Sequence, residues 1–174
     1  MKMQFTYNIF LIGFMGSGKS TVADYLCEKF DMDVVEMDQV IGERERMSIS
    51  DIFEKHGELY FRDLETKLLV ELQEKTNTVV SCGGGVAMRE CNVTEMKKNG
   101  KVVLLTAKPE TILERVENNH DRPLLENNKT VAYIAELMEK RREKYEAAAD
   151  MIIETDGKSA QKICEEMIQR LGEQ

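Results

Sequence analysis

The feature that most constrains the fold of this chain is a glycine-rich stretch near its N-terminus. Gly13, Gly18, Lys19 and Ser20 occupy every fixed position of the pattern G-x-x-x-x-G-K-[ST]. An apolar run precedes the stretch and a segment with helical spacing follows it, so the chain must pass from strand to loop to helix here. The pattern and its context together predict a nucleoside-triphosphate site.

Each part of this loop has a physical role in holding phosphate. The glycines let the backbone turn tightly with its N–H groups facing inward, and the following helix adds the positive end of its dipole. Lys19 is expected to reach the β- and γ-phosphates, and the Ser20 hydroxyl to bind Mg²⁺. The predicted nucleotide-binding residues of the loop are Gly13, Gly16, Ser17, Gly18, Lys19, Ser20 and Thr21.

Length and charge place the chain among compact, water-soluble enzymes and binding proteins. Its 174 residues predict one domain over residues 1–174, and its net charge of −8 argues against nucleic acid or an anionic membrane as the main partner. No apolar run approaches the roughly 20 residues that span a bilayer. The first five residues lead directly into the first predicted strand, leaving no room for a signal peptide, so we expect a cytoplasmic protein.

The four cysteines are widely spaced and form no C-x-x-C pair, and the chain has only two histidines. A zinc site is therefore not expected. Without an export signal the thiols are expected to stay reduced. A redox role for Cys82 and Cys91 is left open.

Apolar strand-like runs alternate with helical patterns along the whole chain. The predicted strands are residues 5–12, 33–37, 78–82, 101–106 and 151–154, and the predicted helices are residues 20–30, 59–75, 110–117, 130–149 and 159–171. This alternation predicts an α/β fold of three layers, α/β/α, around a five-stranded parallel sheet. Ligands of such folds bind at the carboxyl ends of the strands.

Two of these strand ends carry residues suited to substrate chemistry. Glu36 and Asp38 follow the second strand, where they could hold Mg²⁺ and take a proton from an acceptor hydroxyl, or simply form the acidic first turn of a helix. The third strand ends in Gly83, Gly84 and Gly85. Three glycines there favour a close approach of backbone to substrate over a merely flexible turn.

The remaining candidates are arginines. Arg62 lies off the apolar stripe of its predicted helix, which favours a solvated surface charge over ligand contact. Arg122 precedes Pro123 in a polar, asparagine-rich stretch that suits a lid, and a lid arginine can stabilise a transferring phosphoryl group. Arg141 and Arg142 could form an anion site or a solvated face paired with nearby glutamates, and the residues alone leave both interpretations open.

These parts together favour a small kinase that acts on a small, hydroxylated, anionic acceptor. A nucleoside monophosphate kinase is a second possibility, in which the arginines would hold another phosphate. A nucleotide-gated regulatory or binding protein with little turnover is a third, although no second domain or long disordered arm that could serve as its output is evident in the sequence.

Taken in order, the motifs resemble the shikimate kinase family from the first strand to about residue 160. The resemblance rests on G-x-x-G-S-G-K-S-T at 13–21, the acidic pair around Asp38, F-R at 61–62, G-G-G at 83–85, R-P-L-L at 122–125 and R-x-x-x-Y at 141–145. It implies a P-loop kinase fold with a lid and a substrate-binding subdomain. It also implies transfer of the γ-phosphoryl group of ATP to the 3-hydroxyl of shikimate, with Mg²⁺, on the way to chorismate and the aromatic amino acids. A gluconate kinase is the nearest alternative acceptor class, and a monomer is expected.

Carried over by position, the resemblance assigns the acceptor site. Asp38 would bind the shikimate hydroxyls and act as base, and Arg62 and Arg141 would hold the carboxylate. Gly84 would donate from its backbone beside the ring, between Gly83 and Gly85. Residues 38–65 would form the substrate-binding subdomain.

The resemblance assigns the nucleotide side in the same way. Residues 117–129 would form the lid, and Arg122 would meet the phosphates as a third catalytic residue beside Lys19 and Asp38. Arg115 would pack on adenine. The chain departs from the family at two places: Glu36-x-Asp38 stands where Asp-x-Asp is common, and residues 155–159 lack the usual proline.

Overall fold

A computed structural model describes residues 4–117 and 130–172. Within it, five parallel strands form one sheet in the order β2-β3-β1-β4-β5. The strands are β1 (Asn8–Ile12), β2 (Asp33–Glu36), β3 (Thr78–Ser81), β4 (Gly100–Thr106) and β5 (Met151–Glu154). The predicted five-stranded parallel sheet is confirmed, and its order puts β1 in the middle, so the glycine-rich loop leaves from the centre of the carboxyl edge.

Helices cover both faces of the sheet, as predicted. They are α1 (Lys19–Phe30), α2 (Met37–Glu45), α3 (Ile49–His56), α4 (Glu58–Glu71), α5 (Glu90–Lys98), α6 (Pro109–Val116), α7 (Val131–Ala148) and α8 (Ala160–Gly172). Short 3₁₀ turns follow α4 at Leu72–Glu74 and β3 at Val86–Met88. Buried side chains of α1 and α8 pack on one face, and those of α2 to α7 pack on the other.

The central strand, β1, is apolar from Ile9 to Ile12 because it is covered on both faces. All five residues of β1 are buried. Ile9 and Leu11 pack toward α1 and α8, whereas Phe10 and Ile12 pack on the opposite face. These four residues therefore lack the alternation of a half-exposed strand. The buried Asn8 at the start of the strand donates from Nδ2 to the carbonyls of Leu72 and Lys75.

Five of the helices, α1, α4, α6, α7 and α8, lie where the sequence predicts them. The α3 helix begins at a side-chain cap, because Ser48 Oγ accepts a 3.1 Å hydrogen bond from the Asp51 amide. The α5 helix was not predicted. Its buried side chains are only Asn92 and Met96, so it has almost no apolar stripe to detect. Asn92 is held by its Nδ2 donating to the Val86 carbonyl at 2.9 Å.

Three further features of the sequence concern membrane spans, the cysteines and the predicted lid. Across residues 4–117 and 130–172 no helix is long and apolar enough to cross a membrane. All four cysteines are free thiols, buried at Cys82 and Cys164 and exposed at Cys27 and Cys91. Arg122 and nearly all of the predicted lid, residues 118–129, lie outside the described residues.

Candidate active site

The loop between β1 and α1 has a backbone that only glycine adopts readily. Gly13, Gly16 and Gly18 have φ values of +146°, +82° and +101°. A Cβ on Gly13 would also collide with the Leu105 carbonyl oxygen. The glycines of the motif are therefore required by conformation, and at Gly13 by space as well.

The inner wall of this loop is occupied by an ammonium group. Lys19 Nζ donates to the carbonyls of Gly13 at 2.7 Å and Phe14 at 3.1 Å, and the residue is only 9% exposed. The first turn of α1 contains no acidic side chain, and Gly18 at its N-cap provides no side-chain cap. The positive end of the α1 dipole therefore adds to the lysine charge at one point, which suits a phosphate. Ser20 and Thr21 are exposed on the same turn, and Ser17 is buried beneath the loop.

The two acidic residues at the end of β2 lie on different elements. Glu36 ends the strand, and burial raises the pKa of its carboxyl, an effect that the nearby hydroxyls of Ser20 and Ser81 partly offset. Asp38 stands in the first turn of α2. The helix interpretation therefore holds for Asp38, whereas binding of Mg²⁺ or acceptance of a proton by either residue stays a prediction.

The donors present suit a magnesium ion bound chiefly through a nucleotide. The Ser20 hydroxyl is a hard oxygen ligand on the loop itself. Elsewhere in the described chain no three His, Cys, Asp or Glu side chains are grouped to hold a metal. The described side chains therefore do not form a complete metal site on their own. They provide one hydroxyl ligand, that of Ser20, beside a phosphate-binding loop.

A cavity of about 860 Å³ opens at the carboxyl edge of the sheet, between the loop, α2, the start of α3 and the end of β3. Several residues predicted from different parts of the sequence line it together: Lys19, Ser20, Asp38, Gly83 and Gly84. The cavity is large enough for a small metabolite beside the phosphate end of a nucleotide.

Each of the three glycines after β3 is approached by charged side chains. A Cβ on Gly83 would lie 2.8 Å from Glu65 Oε2 and 2.9 Å from Asp38 Oδ1, and one on Gly84 would lie 3.0 Å from Arg141 Nη1. A Cβ on Gly85 would overlap the guanidinium of Arg62. Two carboxylates and two guanidiniums therefore converge on one turn of backbone, and a side chain on any of these glycines would displace a charged group.

Arg62 is not the solvated surface charge that its helical position favoured. Its side chain is 14% exposed, and its guanidinium lies over the rings of Phe61 and Phe53 at 5.3 and 5.9 Å. Nη1 donates to Glu65 Oε1 at 2.8 Å, and Nη2 to Glu58 Oε1 at 3.1 Å. The sequence interpretation was wrong because α4 lies against the glycine turn, which covers the flank of the helix that carries Arg62.

Glu65 is a candidate site residue that the motifs of the sequence did not indicate. It is fully buried, and burial raises the pKa of its carboxyl from 4.5 to about 7 against the opposing effect of Arg62. Its Oε2 has no hydrogen-bond partner within the described residues. Its spacing from Phe61, Leu68 and Leu69 puts it inside the buried stripe of α4, and a carboxylate in such a stripe was the available signal.

The paired arginines of α7 have opposite fates. Arg142 points outward and pairs with two glutamates of its own helix. Arg141 lies over the Phe14 ring at 5.7 Å, and its Nη1 donates to Tyr145 Oη at 3.4 Å. The buried Tyr145 in turn donates to the Gly84 carbonyl at 2.5 Å. One arginine of the pair is therefore a solvated ion pair, and the other points at the glycine turn.

Arg115 joins the phosphate loop to the segment after β5. Its Nη1 donates to the Gly16 carbonyl at 2.9 Å and to Thr155 Oγ1 at 3.2 Å. The same segment is anchored by Asp156, whose Oδ1 accepts from the Lys108 amide at 3.0 Å. Arg115 thus lies at the rim of the loop, between Gly16 and Thr155.

Comparison with known proteins identifies the family. The shikimate kinase family model matches residues 15–172. The chain belongs to the shikimate kinase family. A shikimate kinase from Persephonella marina is 45% identical to this family member over 164 residues, which cover 94% of this chain and 98% of the relative.

Solved structures agree with this assignment. A shikimate kinase from Acinetobacter baumannii in complex with shikimate superposes with a TM-score of 0.90 at 33% identity, covering 95% of this chain and 92% of that one. A gluconokinase from Sinorhizobium meliloti reaches a TM-score of 0.62 at 17% identity, with 98% and 94% of the two chains covered. The second likeness shows a common fold alone. The predictions of an enzyme and of this kinase family are confirmed, whereas the regulatory alternative gains no support.

Proposed function

We propose that this protein transfers the γ-phosphoryl group of ATP to the 3-hydroxyl of shikimate, giving shikimate 3-phosphate and ADP. Membership of the family supports the reaction. The observation that carries the acceptor is the convergence of Arg62 and Arg141 on Gly85 and Gly84. Two guanidiniums beside a phosphate-binding loop suit a small acid that also carries a reacting hydroxyl.

On the donor side, the phosphate loop and Lys19 bind the β- and γ-phosphates, and the Ser20 hydroxyl is a ligand of Mg²⁺. When bound, Mg²⁺ neutralises part of the charge on the phosphates. Arg115 borders the nucleotide base. From the sequence motifs alone, we also propose residues 117–129 as the lid and Arg122 as its phosphate-binding arginine.

On the acceptor side, residues 38–65 form the substrate-binding subdomain. Arg62 and Arg141 hold the carboxylate, and the Gly84 amide donates to the ring. Asp38 accepts the proton of the 3-hydroxyl as that oxygen attacks the γ-phosphorus, and the bond to the bridging oxygen breaks with its electron pair left on ADP. Phosphoryl transfer asks for positioning and charge balance, which these groups provide.

The charge around Arg62 favours a monoanionic acceptor over a nucleotide. Its guanidinium already donates to Glu65 and Glu58. A site whose arginine is shared with two carboxylates has less positive charge to offer than the dianionic phosphate of a nucleoside monophosphate needs. The single negative charge of a carboxylate is a better match for Arg62 and Arg141, because the charge of Arg62 is already partly neutralised.

A coupled assay of ADP production, with shikimate, gluconate and AMP as rival acceptors, tests the proposal. We expect ADP to form rapidly with shikimate and only at the background rate with the other two. Equal or faster turnover with gluconate or AMP would reassign the acceptor. ATP binding without ADP production from any of the three would favour a regulatory protein.

We further propose a cytoplasmic monomer with no nucleic-acid or membrane partner, a proposal that rests on the acidic net charge and on membership of the family. Sedimentation equilibrium at several protein concentrations tests the monomer. A mass that rises with concentration toward twice 20.0 kDa would contradict it.

A further inference from the structure

Glu65 stands where the acceptor site has least room for another negative charge. Its side chain is fully buried, its Oε1 accepts from Arg62, and its Oε2 has no hydrogen-bond partner among the residues described. Oε2 and Asp38 Oδ1 lie within 2.8 and 2.9 Å of one point above Gly83. Two carboxylates thus face each other across a glycine, and Arg62 donates to only one oxygen of this pair.

Charged and titratable groups face Glu65 from every element packed around it. On its own helix these are Arg62 and, through Arg62, the exposed Glu58. The others are Asp38 on α2, Cys82 after β3, Arg89 before α5, and Tyr145 with Arg141 on α7. Asp38 disfavours the charged form of Glu65, whereas Arg62 and Arg89 favour it.

Arrival of the substrate carboxylate changes this balance. In the free protein, the carboxylates of Asp38 and Glu65 lie beside Gly83, and the guanidiniums of Arg141 and Arg62 lie beside the next two glycines. The carboxylate of the acceptor would add a third negative charge and draw both guanidiniums toward itself. In a water-poor site, the net charge is restored at least cost if one of the three carboxylates takes a proton.

We infer that binding of the acceptor acid is coupled to uptake of a proton by Glu65. This inference rests on the proposed function, since it needs an anionic acceptor held by Arg62. Asp38 lines the open cavity and must stay ionised to serve as base, whereas Glu65 is closed off from solvent. A proton on Oε2 leaves Oε1 able to keep its 2.8 Å hydrogen bond from Arg62 and places an O–H on the side facing Asp38.

The carboxyl of Glu65 is already poised for this exchange, because burial raises its pKa to about 7 in the free protein. Glu65 thereby acts as a positioning residue. When Glu65 is neutral, its electrostatic attraction to Arg62 is weaker, so the guanidinium can bind the carboxylate of the substrate. Above about pH 7 the proton must be taken from solution, and the affinity for the acid should then fall up to about tenfold per pH unit.

Isothermal titration calorimetry of shikimate binding without ATP tests the inference. The apparent enthalpy is measured at about pH 8 in two buffers of very different ionisation enthalpy, and their difference gives the number of protons taken up. We expect uptake approaching one proton for the unsubstituted protein. No difference between the buffers would overturn the inference, whereas no binding at all would count against the proposed function instead.

Two variants locate the proton. Glu65→Gln imitates the neutral carboxyl, so it should bind shikimate without proton uptake and with less than about twofold change in affinity between pH 7 and 8.5. Glu58→Gln removes the other carboxylate on Arg62, which is exposed, and should keep the full uptake. Uptake that survives Glu65→Gln, or that disappears in Glu58→Gln, would contradict the assignment to Glu65.

Discussion

Tyr145 Oη donates a 2.5 Å hydrogen bond to the Gly84 carbonyl, although the two residues lie 61 positions apart in the chain. The same hydroxyl accepts from Arg141 Nη1 at 3.4 Å. One buried phenol therefore fixes both the glycine turn and an arginine of the proposed carboxylate site.

Replacing Tyr145 by phenylalanine should weaken acceptor binding more than it slows the chemical step. The loss of about one net hydrogen bond predicts a rise in KM for shikimate of about 3- to 10-fold, with kcat changed less than about twofold. Steady-state kinetics with either substrate varied measures this split. Tyr60→Phe is the matched control, because that exposed hydroxyl bonds to Glu45 on the surface, and an equal effect there would refute the role of Tyr145.

Gly85→Ala should disable the acceptor site while sparing the nucleotide site. The new Cβ would overlap the Arg62 guanidinium, so the arginine must leave its position over Phe61. We expect KM for shikimate to rise more than about tenfold and KM for ATP to stay within about twofold. Gly172→Ala is the control, since a Cβ there meets nothing within 4 Å. Parallel losses for both substrates would mean that the variant acts through folding.

Lys19→Ala should remove most turnover without unfolding the protein. The ammonium is the cation that touches the phosphate loop from inside, and loss of such a group costs about 10²–10³-fold in kcat. Initial rates at saturating substrates, together with a thermal melt, measure the two effects. Lys29→Ala, at the exposed end of the same helix, should keep its kcat. Retention of kcat in Lys19→Ala would contradict a kinase mechanism built on this loop.

Glu65 also predicts how stability depends on pH. Because the pKa of Glu65 is raised from 4.5 to about 7, the folded state holds a proton that the unfolded state has lost over this range. The free energy of unfolding should therefore fall as pH rises from about 4.5 to 7, by an amount on the order of a few kcal/mol.

Urea denaturation at about pH 5 and pH 8 measures this contribution. The free energy of unfolding of Glu65→Gln, minus that of the unsubstituted protein, should be larger at pH 8 than at pH 5. The reason is that glutamine has no proton to lose. For Glu58→Gln, an exposed partner of the same arginine, the stability difference should not depend on pH. A pH-independent difference for Glu65→Gln would show that its carboxyl titrates normally.

The sequence predicted what depends on contiguous residues. The phosphate loop has its functional positions within eight residues, Gly13 to Ser20, and its glycines are fixed by local backbone geometry. The central strands of the sheet are likewise local, because burial on both faces leaves consecutive apolar residues in β1, β3 and β4. Both kinds of feature can be recognised before any tertiary contact is known.

Features that depend on packing between distant elements were less accessible. The direction of Arg62 follows from the way α4 lies against the glycine turn, and no spacing within the helix contains that information. Arg141 and Arg142 are adjacent and chemically identical, and only the position of α7 beside Gly84 separates their roles. Glu65 gave a signal, a carboxylate inside an apolar stripe, but its meaning needs the two partners, Arg62 and Asp38, that the fold brings to it.

The position of the phosphate in the product shows whether the protein phosphorylates the 3-hydroxyl of shikimate. After incubation of the protein with ATP, Mg²⁺ and shikimate, proton–phosphorus correlation NMR identifies the carbon that bears the new phosphate. We expect a single phosphomonoester whose phosphorus couples to the proton on C3, formed in equal amount to ADP. Coupling to another ring proton, or release of the phosphoryl group only as inorganic phosphate, would contradict it.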